Sequence, residues 1–193
     1  MKKNKIYNVQ VRRKREGRTN YKKRIKMLIS EKPRLVIRKS LKNIHADIVE
    51  FDQKGDKVLA SAHSKELEKL GWKFSRGNLP AAYLVGLLAG KKAKAKGVQE
   101  AILDIGLNKS VKGSRLYAAL SGVVDAGVNV PHDKSVLPAK ERVQGEHIAK
   151  FAAEAKGNYK MQFSNYDRNG VDAADIKKYF NDIKSKIEAG KNG

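Results

Sequence analysis

The residues with the clearest chemistry are two basic clusters near the start of the chain. They are Arg12-Arg13-Lys14-Arg15 and Lys22-Lys23-Arg24, and Tyr7 and Tyr21 are interleaved with them. Arginine guanidinium groups donate paired hydrogen bonds to phosphates, and tyrosine rings stack on unpaired bases. The combination indicates RNA binding. A solvated tail or a localisation signal is the alternative for a charge run of this kind.

Further cationic and polar side chains follow along the chain. A first set lies on or after the first predicted strand: Arg34, Arg38, Lys39, Ser40, Lys42, Asn43 and His45. A second set surrounds a predicted helix N-terminus: Lys109, Lys112, Ser114 and Arg115. The backbone amides at such a terminus favour an anion. An ordinary capped helix beside solvated lysines explains the second set equally well.

Motifs of enzymes and metal sites are missing from the sequence. Gly86 to Lys92 has the wrong spacing for a phosphate-binding loop, neither HExxH nor GxSxG occurs, and cysteine is absent. A two-metal nuclease needs clustered carboxylates. Asp104, Asp47 and Glu50 lie on predicted strands, but the first strand carries no acid. We therefore expect no enzyme, no metal, no cofactor and no small-molecule substrate.

Composition agrees with a polyanionic partner. The 193 residues carry 42 Lys and Arg against 20 Asp and Glu, which gives a net charge of +22, and 40% are hydrophobic. The charge is concentrated, because residues 1–45 hold 17 bases and two acids. Nucleic acid is the first expectation, and a chromatin-like DNA binder is the rival. A membrane partner is not expected, because the apolar run Leu79 to Ala89 is too short to span a bilayer.

The hydrophobic pattern predicts an α/β layered domain. Strands are expected at 34–40, 44–51 and 57–63 as an antiparallel meander, with a central strand at 101–107. Helices are expected at 65–70 and 115–126, capped by Ser64 and Ser114, and from Asn78 through 81–89 as a buried helix. Residues 128–145 should be irregular, and 147–155 and 173–189 helical, the last with a core-facing stripe. The basic arm, 1–30, should end in a short helix near 20–30 and be disordered before a partner binds.

Several stretches, taken in order, resemble a known family. They are RRKREGRTNY from Arg12, KPRLVIRKS from Lys32, VLASA from Val58, LDIGL from Leu103, GSRLYAAL from Gly113, DAGVNVPH from Asp125 and GEHI from Gly145. This series resembles the family of large-subunit ribosomal protein eighteen, in its archaeal and eukaryotic-type form. The resemblance implies a mixed-sheet, ribonuclease-H-like α/β core at 31–130. The arm at 1–30 precedes it, and 131–193 form an irregular segment and a helical C-terminal extension.

The resemblance also implies a function and a set of contacts. It implies a non-enzymatic constituent of the large subunit, in the cytoplasm, that binds 5S rRNA and helps attach it to 23S rRNA in the central protuberance, beside neighbouring ribosomal proteins. The RNA contacts implied by the family are Tyr7, Arg12, Arg13, Arg15, Thr19, Tyr21, Arg24, Arg38, Ser40, Lys42, Asn43 and His45. Lys112 and Arg115 join the candidates on charge alone, because the lysine-rich loop 108–112 departs from the family pattern.

Overall fold

The sheet has four strands in a mixed arrangement. The computed structural model describes residues 8–155 and 159–190, so that Tyr7 lies outside it. Strands β1 (Arg34–Lys39), β2 (Ile44–Glu50) and β3 (Lys57–His63) form the predicted antiparallel meander. Strand β4 (Ile102–Asp104) pairs in parallel with β1, and the strand order is β3-β2-β1-β4. The predicted α/β layered class is confirmed.

The fourth strand differs from its prediction in length and position. The apolar run 101–107 predicted a central strand, but β4 has three residues and lies at the edge of the sheet. The strand ends early because the chain turns: Gly106 has φ +59°, and its amide donates a hydrogen bond of 2.9 Å to Asp104 Oδ1. An apolar run reports burial, and it does not distinguish a central strand from an edge strand covered by other elements.

Two helices cover one face of the sheet. In α4 (Leu79–Ala95) the side chain of Asn78 accepts a hydrogen bond of 2.8 Å from the Ala81 amide, and Pro80 lies in the first turn. Helix α5 (Arg115–Asp125) crosses α4 closely. A Cβ on Gly86 would lie 1.9 Å from the Ala119 carbonyl oxygen, so only glycine permits this approach. The predicted buried helix and the predicted cap at Asn78 are confirmed.

The other two predicted caps have different outcomes, and the one at Ser64 is wrong. Helix α3 (Glu66–Lys69) starts later than expected, and Ser64 is fully buried rather than capping it. The Ser64 hydroxyl donates to Asn43 Oδ1 and accepts from the Ile44 amide, both at 3.2 Å. Ser114 occupies the N-cap position of α5, as predicted, although its side chain makes no capping hydrogen bond. Ser64 follows the last residue of β3, where the β1–β2 turn supplies nearer partners.

The C-terminal part is more helical than predicted. The segment expected to be irregular contains a 3-10 turn (Lys134–Val136) and α6 (Lys140–Gln144). The sequence then continues through α7 (Glu146–Glu154), α8 (Tyr159–Gln162), α9 (Ser164–Arg168) and α10 (Ile176–Glu188), with a 3-10 turn (Ala173–Asp175) before the last helix. The irregular interpretation of 128–145 holds for 128–133 and 137–139 and is wrong for the 3-10 turn and α6, because Pro131 and Pro138 end elements without preventing a short helix after them.

The last helix packs on the core. Its predicted stripe, Ile176, Phe180, Ile183 and Ile187, is buried, and the Phe180 ring lies 5.5 Å from that of Tyr83 on α4. The stripe belongs to the same hydrophobic cluster as the sheet and α4. The expectation of a core-facing stripe is confirmed, whereas the boundaries at 30 and 130 stay a prediction.

The basic arm forms two short helices. They are α1 (Arg12–Arg15) and α2 (Tyr21–Leu28), and neither buries a residue. Asn20 Oδ1 accepts from the Lys23 amide at 3.1 Å and starts α2, so the short helix expected near 20–30 is present. The disorder expected before a partner binds stays a prediction. Within the described residues, no helix combines the length and apolarity needed to cross a bilayer.

Candidate nucleic-acid interface

The arm and the uncovered face of the sheet enclose a groove of about 580 Å³. Alternation along β1 contributes to this face, because Leu35 belongs to the hydrophobic cluster and does not line the groove, whereas its neighbours Arg34 and Val36 do. Seven bases and the predicted Thr19 lie along its wall, from both the arm and the sheet: Arg13, Arg18, Thr19, Lys23, Arg24, Arg34, Arg38 and Lys39. His45 joins them from β2. Five predicted contacts, distant in sequence, are thus brought together: Arg13, Thr19, Arg24, Arg38 and His45.

An ion-pair network forms the floor of the groove. Arg34 is 3% exposed, and its guanidinium contacts Asp56 at 2.6 Å and Asp104 at 3.0 Å. Arg24 on α2 reaches the same Asp56 at 2.8 Å. Arg34 was expected among the available cationic side chains, and this was wrong, because its charge is used inside the protein. Asp104 is likewise paired with the Arg34 guanidinium, so the carboxylate considered for a nuclease is not free to bind a metal ion.

The tip of the arm is organised by its own side chains. Arg13 Nε donates to Thr19 Oγ1 at 3.0 Å across a bend in which Gly17 has φ +63°. Arg12 and Arg18 share Glu16, at 3.7 and 3.1 Å. Arg15 is exposed. The ends of these guanidinium groups remain near solvent, where charge pairs are weak and phosphate can compete for them.

Tyr21 lies apart from the main groove. Its half-buried side chain lines a second, smaller hollow with Lys14, Lys22 and Leu107. A ring partly covered on one side and flanked by lysines can still offer an edge or a face to a base. The prediction for Tyr21 therefore stays open, and that for Tyr7 falls outside the described residues.

The β1–β2 turn presents a different set of groups. Three hydrogen bonds join Ser40 and Asn43. The Ser40 amide and Ser40 Oγ donate to the Asn43 carbonyl at 2.8 and 3.1 Å, and the Asn43 amide donates to Ser40 Oγ at 2.9 Å. Asn43 Oδ1 accepts from Ser64. The polar atoms of these two predicted contacts thus shape the turn, and Lys42 is exposed at its tip.

Two histidines, His45 and His63, lie at or beside the groove and contact each other. His45 Nε2 lies 3.0 Å from both Ser61 Oγ and Asp47 Oδ1, and its ring is 5.5 Å from that of His63. Burial lowers the pKa of His63, and the nearby His45 and Arg76 lower it further. The Lys65 amide donates to His63 Nδ1 at 3.0 Å, which requires that nitrogen to be unprotonated. His63 is therefore held in its neutral form and adds no fixed charge beside the groove.

The candidates chosen on charge alone have separate roles. Arg115 Nη1 donates to the Gly77 carbonyl at 2.6 Å and to the Ser40 carbonyl at 3.4 Å, so that it braces the β1–β2 turn. Lys112 is exposed on the loop before α5. The helix N-terminus for which an anion site and an ordinary capped helix were equal alternatives carries an arginine that donates to backbone carbonyls. The direct RNA contact predicted for Arg115 stays a prediction, now beside a positioning role.

The predicted contacts omit two basic residues of the groove, of which Lys23 belongs to a basic cluster already recognised in the sequence. Arg18 and Lys23 line it, but the arm contains so many bases that composition cannot tell which of them face the sheet. Helical spacing is a usable signal for one of them, because Lys23 and Met27 are four residues apart on α2 and both line the groove. Across residues 8–155 and 159–190, no three His, Asp or Glu side chains are grouped to hold a metal ion.

Fold and groove together define a layered α/β protein with a strongly cationic face built from an N-terminal arm and an open sheet. Comparison with known proteins identifies the family. A model for ribosomal large subunit proteins 60S L5 and 50S L18 matches residues 5–99 and 91–133. The large ribosomal subunit protein uL18 of Korarchaeum cryptofilum (strain OPF8) is 51% identical over 189 residues, which cover 97% of each chain. The chain belongs to this family, and the family resemblance noted in the sequence is confirmed.

Proposed function

We propose that the chain is a structural constituent of the large ribosomal subunit that binds 5S rRNA and helps attach it to 23S rRNA in the central protuberance. Family membership supports the ribosomal role. The specific RNA partner follows from the resemblance, and the groove supplies a surface suited to it. Ribosomal proteins next to it in the subunit complete its set of partners, and it acts in the cytoplasm as part of the ribosome.

One observation carries the proposal: bases from the arm and from the sheet converge on one groove. Its lining includes seven Arg and Lys side chains against the acids Asp47, Asp56 and Asp104. Asp56 and Asp104 are both engaged by arginines. The remaining positive charge has no internal counterion among the groove residues. The phosphates of an RNA backbone would supply that counterion.

The individual contacts divide by chemistry. Arg12, Arg13, Arg15, Arg24, Arg38, Lys42 and Lys112 are suited to phosphates. Thr19, Ser40, Asn43 and His45 can hydrogen-bond sugars or base edges, and Tyr7 and Tyr21 can stack on bases. Arg115 would act through the turn that it braces. The protein would therefore act by binding and positioning RNA, without catalysis.

Competition between nucleic acids tests the proposal. Filter binding should show preference for folded 5S rRNA over duplex DNA, and with roughly eight phosphates neutralised, log K should fall against log salt with a slope of about −6 or steeper. Equal competition by duplex DNA would instead support the chromatin-like alternative. Magnesium-dependent RNA cleavage that is lost in Asp104→Asn would support the nuclease alternative.

A further inference from the structure

The tip of the β1–β2 turn presents an apolar side chain to solvent. Leu41 is 95% exposed, more than any other large apolar side chain of the described residues. A single exposed leucine is ordinary on a protein surface. The way in which this one is held is not ordinary, and three features of the turn support a function.

The first feature is the sequence of the loop. Because Lys39 pairs with Ile44 and Ser40 hydrogen-bonds Asn43, Leu41 and Lys42 form a two-residue hairpin loop. Such loops favour Asn-Gly or Gly-containing pairs, which tolerate the positive φ of the turns that match strand twist. Here both residues keep negative φ. The loop therefore lacks the residues that would stabilise it locally.

The second feature is support from outside the loop. The Ser40 hydroxyl accepts a hydrogen bond of 2.9 Å from the Asn43 amide. The Ser40 carbonyl is therefore left to accept a hydrogen bond of 3.4 Å from Arg115. Asn43 is held by buried Ser64. A Cβ on Gly77 would lie 2.7 Å from the Leu41 carbonyl oxygen, so the missing side chain makes room for the turn. Departures from local sequence preference that are supported from elsewhere are typical of functional positions.

The third feature is the charge around the leucine. Arg38, Lys39 and Lys42 are exposed on either side of it. An apolar protein partner would have to bury these basic side chains without water or pair them with carboxylates of its own. A nucleotide satisfies both kinds of side chain. Its phosphate accepts hydrogen bonds from the arginine and lysines, and its nucleobase offers a flat apolar face to the leucine.

We propose that Leu41 is an RNA-contacting residue that packs on the face of an unpaired base, while the lysines beside it hold the flanking phosphates. This deepens the proposed function and rests on it. Arg115 and Gly77 are positioning residues, because they fix the turn without contacting the base themselves.

The test measures binding of full-length variants to a 5S rRNA transcript over a range of salt concentrations. Leu41→Ala should weaken affinity by about fivefold to tenfold with an unchanged salt slope, because apolar contact releases no counterions. Lys42→Ala should make the slope shallower by about 0.7–0.9. Leu41→Met should bind within twofold of the parent protein, because it keeps the apolar volume. Met161→Ala is the matched control, since Met161 is 79% exposed on the C-terminal part.

Chemical probing of the bases locates the contact. With the parent protein, at least one unpaired base should be protected, and in Leu41→Ala that base should become reactive while backbone protection elsewhere persists. Equal affinity of Leu41→Ala and Met161→Ala, with identical base protection, would overturn the proposal. So would normal RNA binding combined with failed assembly into subunits, which would assign Leu41 to a protein partner.

Failure of the proposed function gives a different result. In that case the parent protein shows no preference for 5S rRNA, whatever residue stands at position 41. A parent protein that prefers 5S rRNA while Leu41→Ala binds equally well would refute only the role of Leu41. Thermal unfolding should be the same for Leu41→Ala and the parent, because the side chain contacts almost nothing in the fold.

Discussion

The two ends of the chain use basic residues in opposite ways. Residues 1–45 carry 17 Lys and Arg against two acids, whereas residues 140–193 carry 11 against eight. The arm helices α1 and α2 bury no side chain, whereas α10 buries four. One end places charge on a surface, and the other balances charge around a core.

Individual pairs show the same difference. In the C-terminal part, Lys177 contacts Glu146 at 2.6 Å, and Lys186 Nζ donates to the Leu70 carbonyl at 2.9 Å. In the arm, Arg12 and Arg18 share a single acid. The C-terminal Lys and Arg side chains can find hydrogen-bond and ion-pair partners within the fold, but the arm has too few acidic residues to pair with its own. Unbalanced charge, rather than the number of bases, marks the surface that needs a polyanion.

Removing core packing from the C-terminal part should give the largest effect. Phe180 is 2% exposed and packs on Tyr83, so Phe180→Ala should lower the free energy of unfolding by about 3–5 kcal/mol. Chemical denaturation measures this loss. Phe151→Ala is the control, because Phe151 is 49% exposed and should cost about 1 kcal/mol or less. Equal losses would contradict the assignment of α10 to the core.

Removing charge from the arm should affect RNA binding instead. Replacing Arg12, Arg13 and Arg15 by Gln should weaken 5S rRNA binding by about 100-fold at 0.15 M salt and make the salt slope shallower by about 2–3. The melting temperature should barely change, because α1 buries nothing. Lys150, Lys160 and Lys178 are exposed C-terminal bases, and their replacement by Gln is the matched control. If both triple variants lose the same affinity, net charge alone governs binding and the comparison fails.

Arg34, the buried arginine beneath the groove, should behave like a core residue. Arg34→Met leaves Asp56 and Asp104 without their buried partner and should lower the free energy of unfolding by about 2 kcal/mol. Arg24→Gln, at the more exposed end of the same network, should cost about 1 kcal/mol or less. Denaturation separates these values. A salt slope changed in Arg34→Met as much as in Arg24→Gln would contradict the internal role of Arg34.

The smallest effect concerns pH. Because the pKa of His63 is lowered in the fold, the unfolded chain binds more protons there, and stability should fall as pH drops below about 6.5. His63→Asn keeps an acceptor for the Lys65 amide and should reduce this fall between pH 7.5 and 5.5. That range lies above the ordinary pKa of Glu66, whose carboxylate, though partly desolvated, is stabilised by Lys92. Identical pH profiles for the two proteins would show that His63 does not contribute.

Much of the fold was predictable because its signals are local. Clustered β-branched residues predicted β1, and alternation predicted β2. Asn78 and Pro80 marked the start of α4, and helical spacing identified the buried stripe of α10. The errors concern partners distant in sequence. The edge position of β4 depends on which strands pair, and Ser64 is drawn away from α3 by the β1–β2 turn.

The candidate site was predictable in its residue types more than in its geometry. Basic residues of the arm and of the sheet were both identified, and five of the predicted contacts do meet in the groove. Sequence could not show that Arg34 is neutralised by acids 22 and 70 residues away, or that Arg115 reaches across 75 residues to brace a turn. A basic residue in a sequence does not show whether its partner is a carboxylate inside the fold or an external RNA.

Crosslinking of the bound protein to RNA tests the central claim most directly. The complex of full-length chain and 5S rRNA is irradiated, and the crosslinked peptides are identified by mass spectrometry. The account predicts crosslinks concentrated in residues 8–45, including the groove and the β1–β2 turn, with few in α10. Crosslinks concentrated in residues 146–190, or spread evenly over all basic segments, would contradict it.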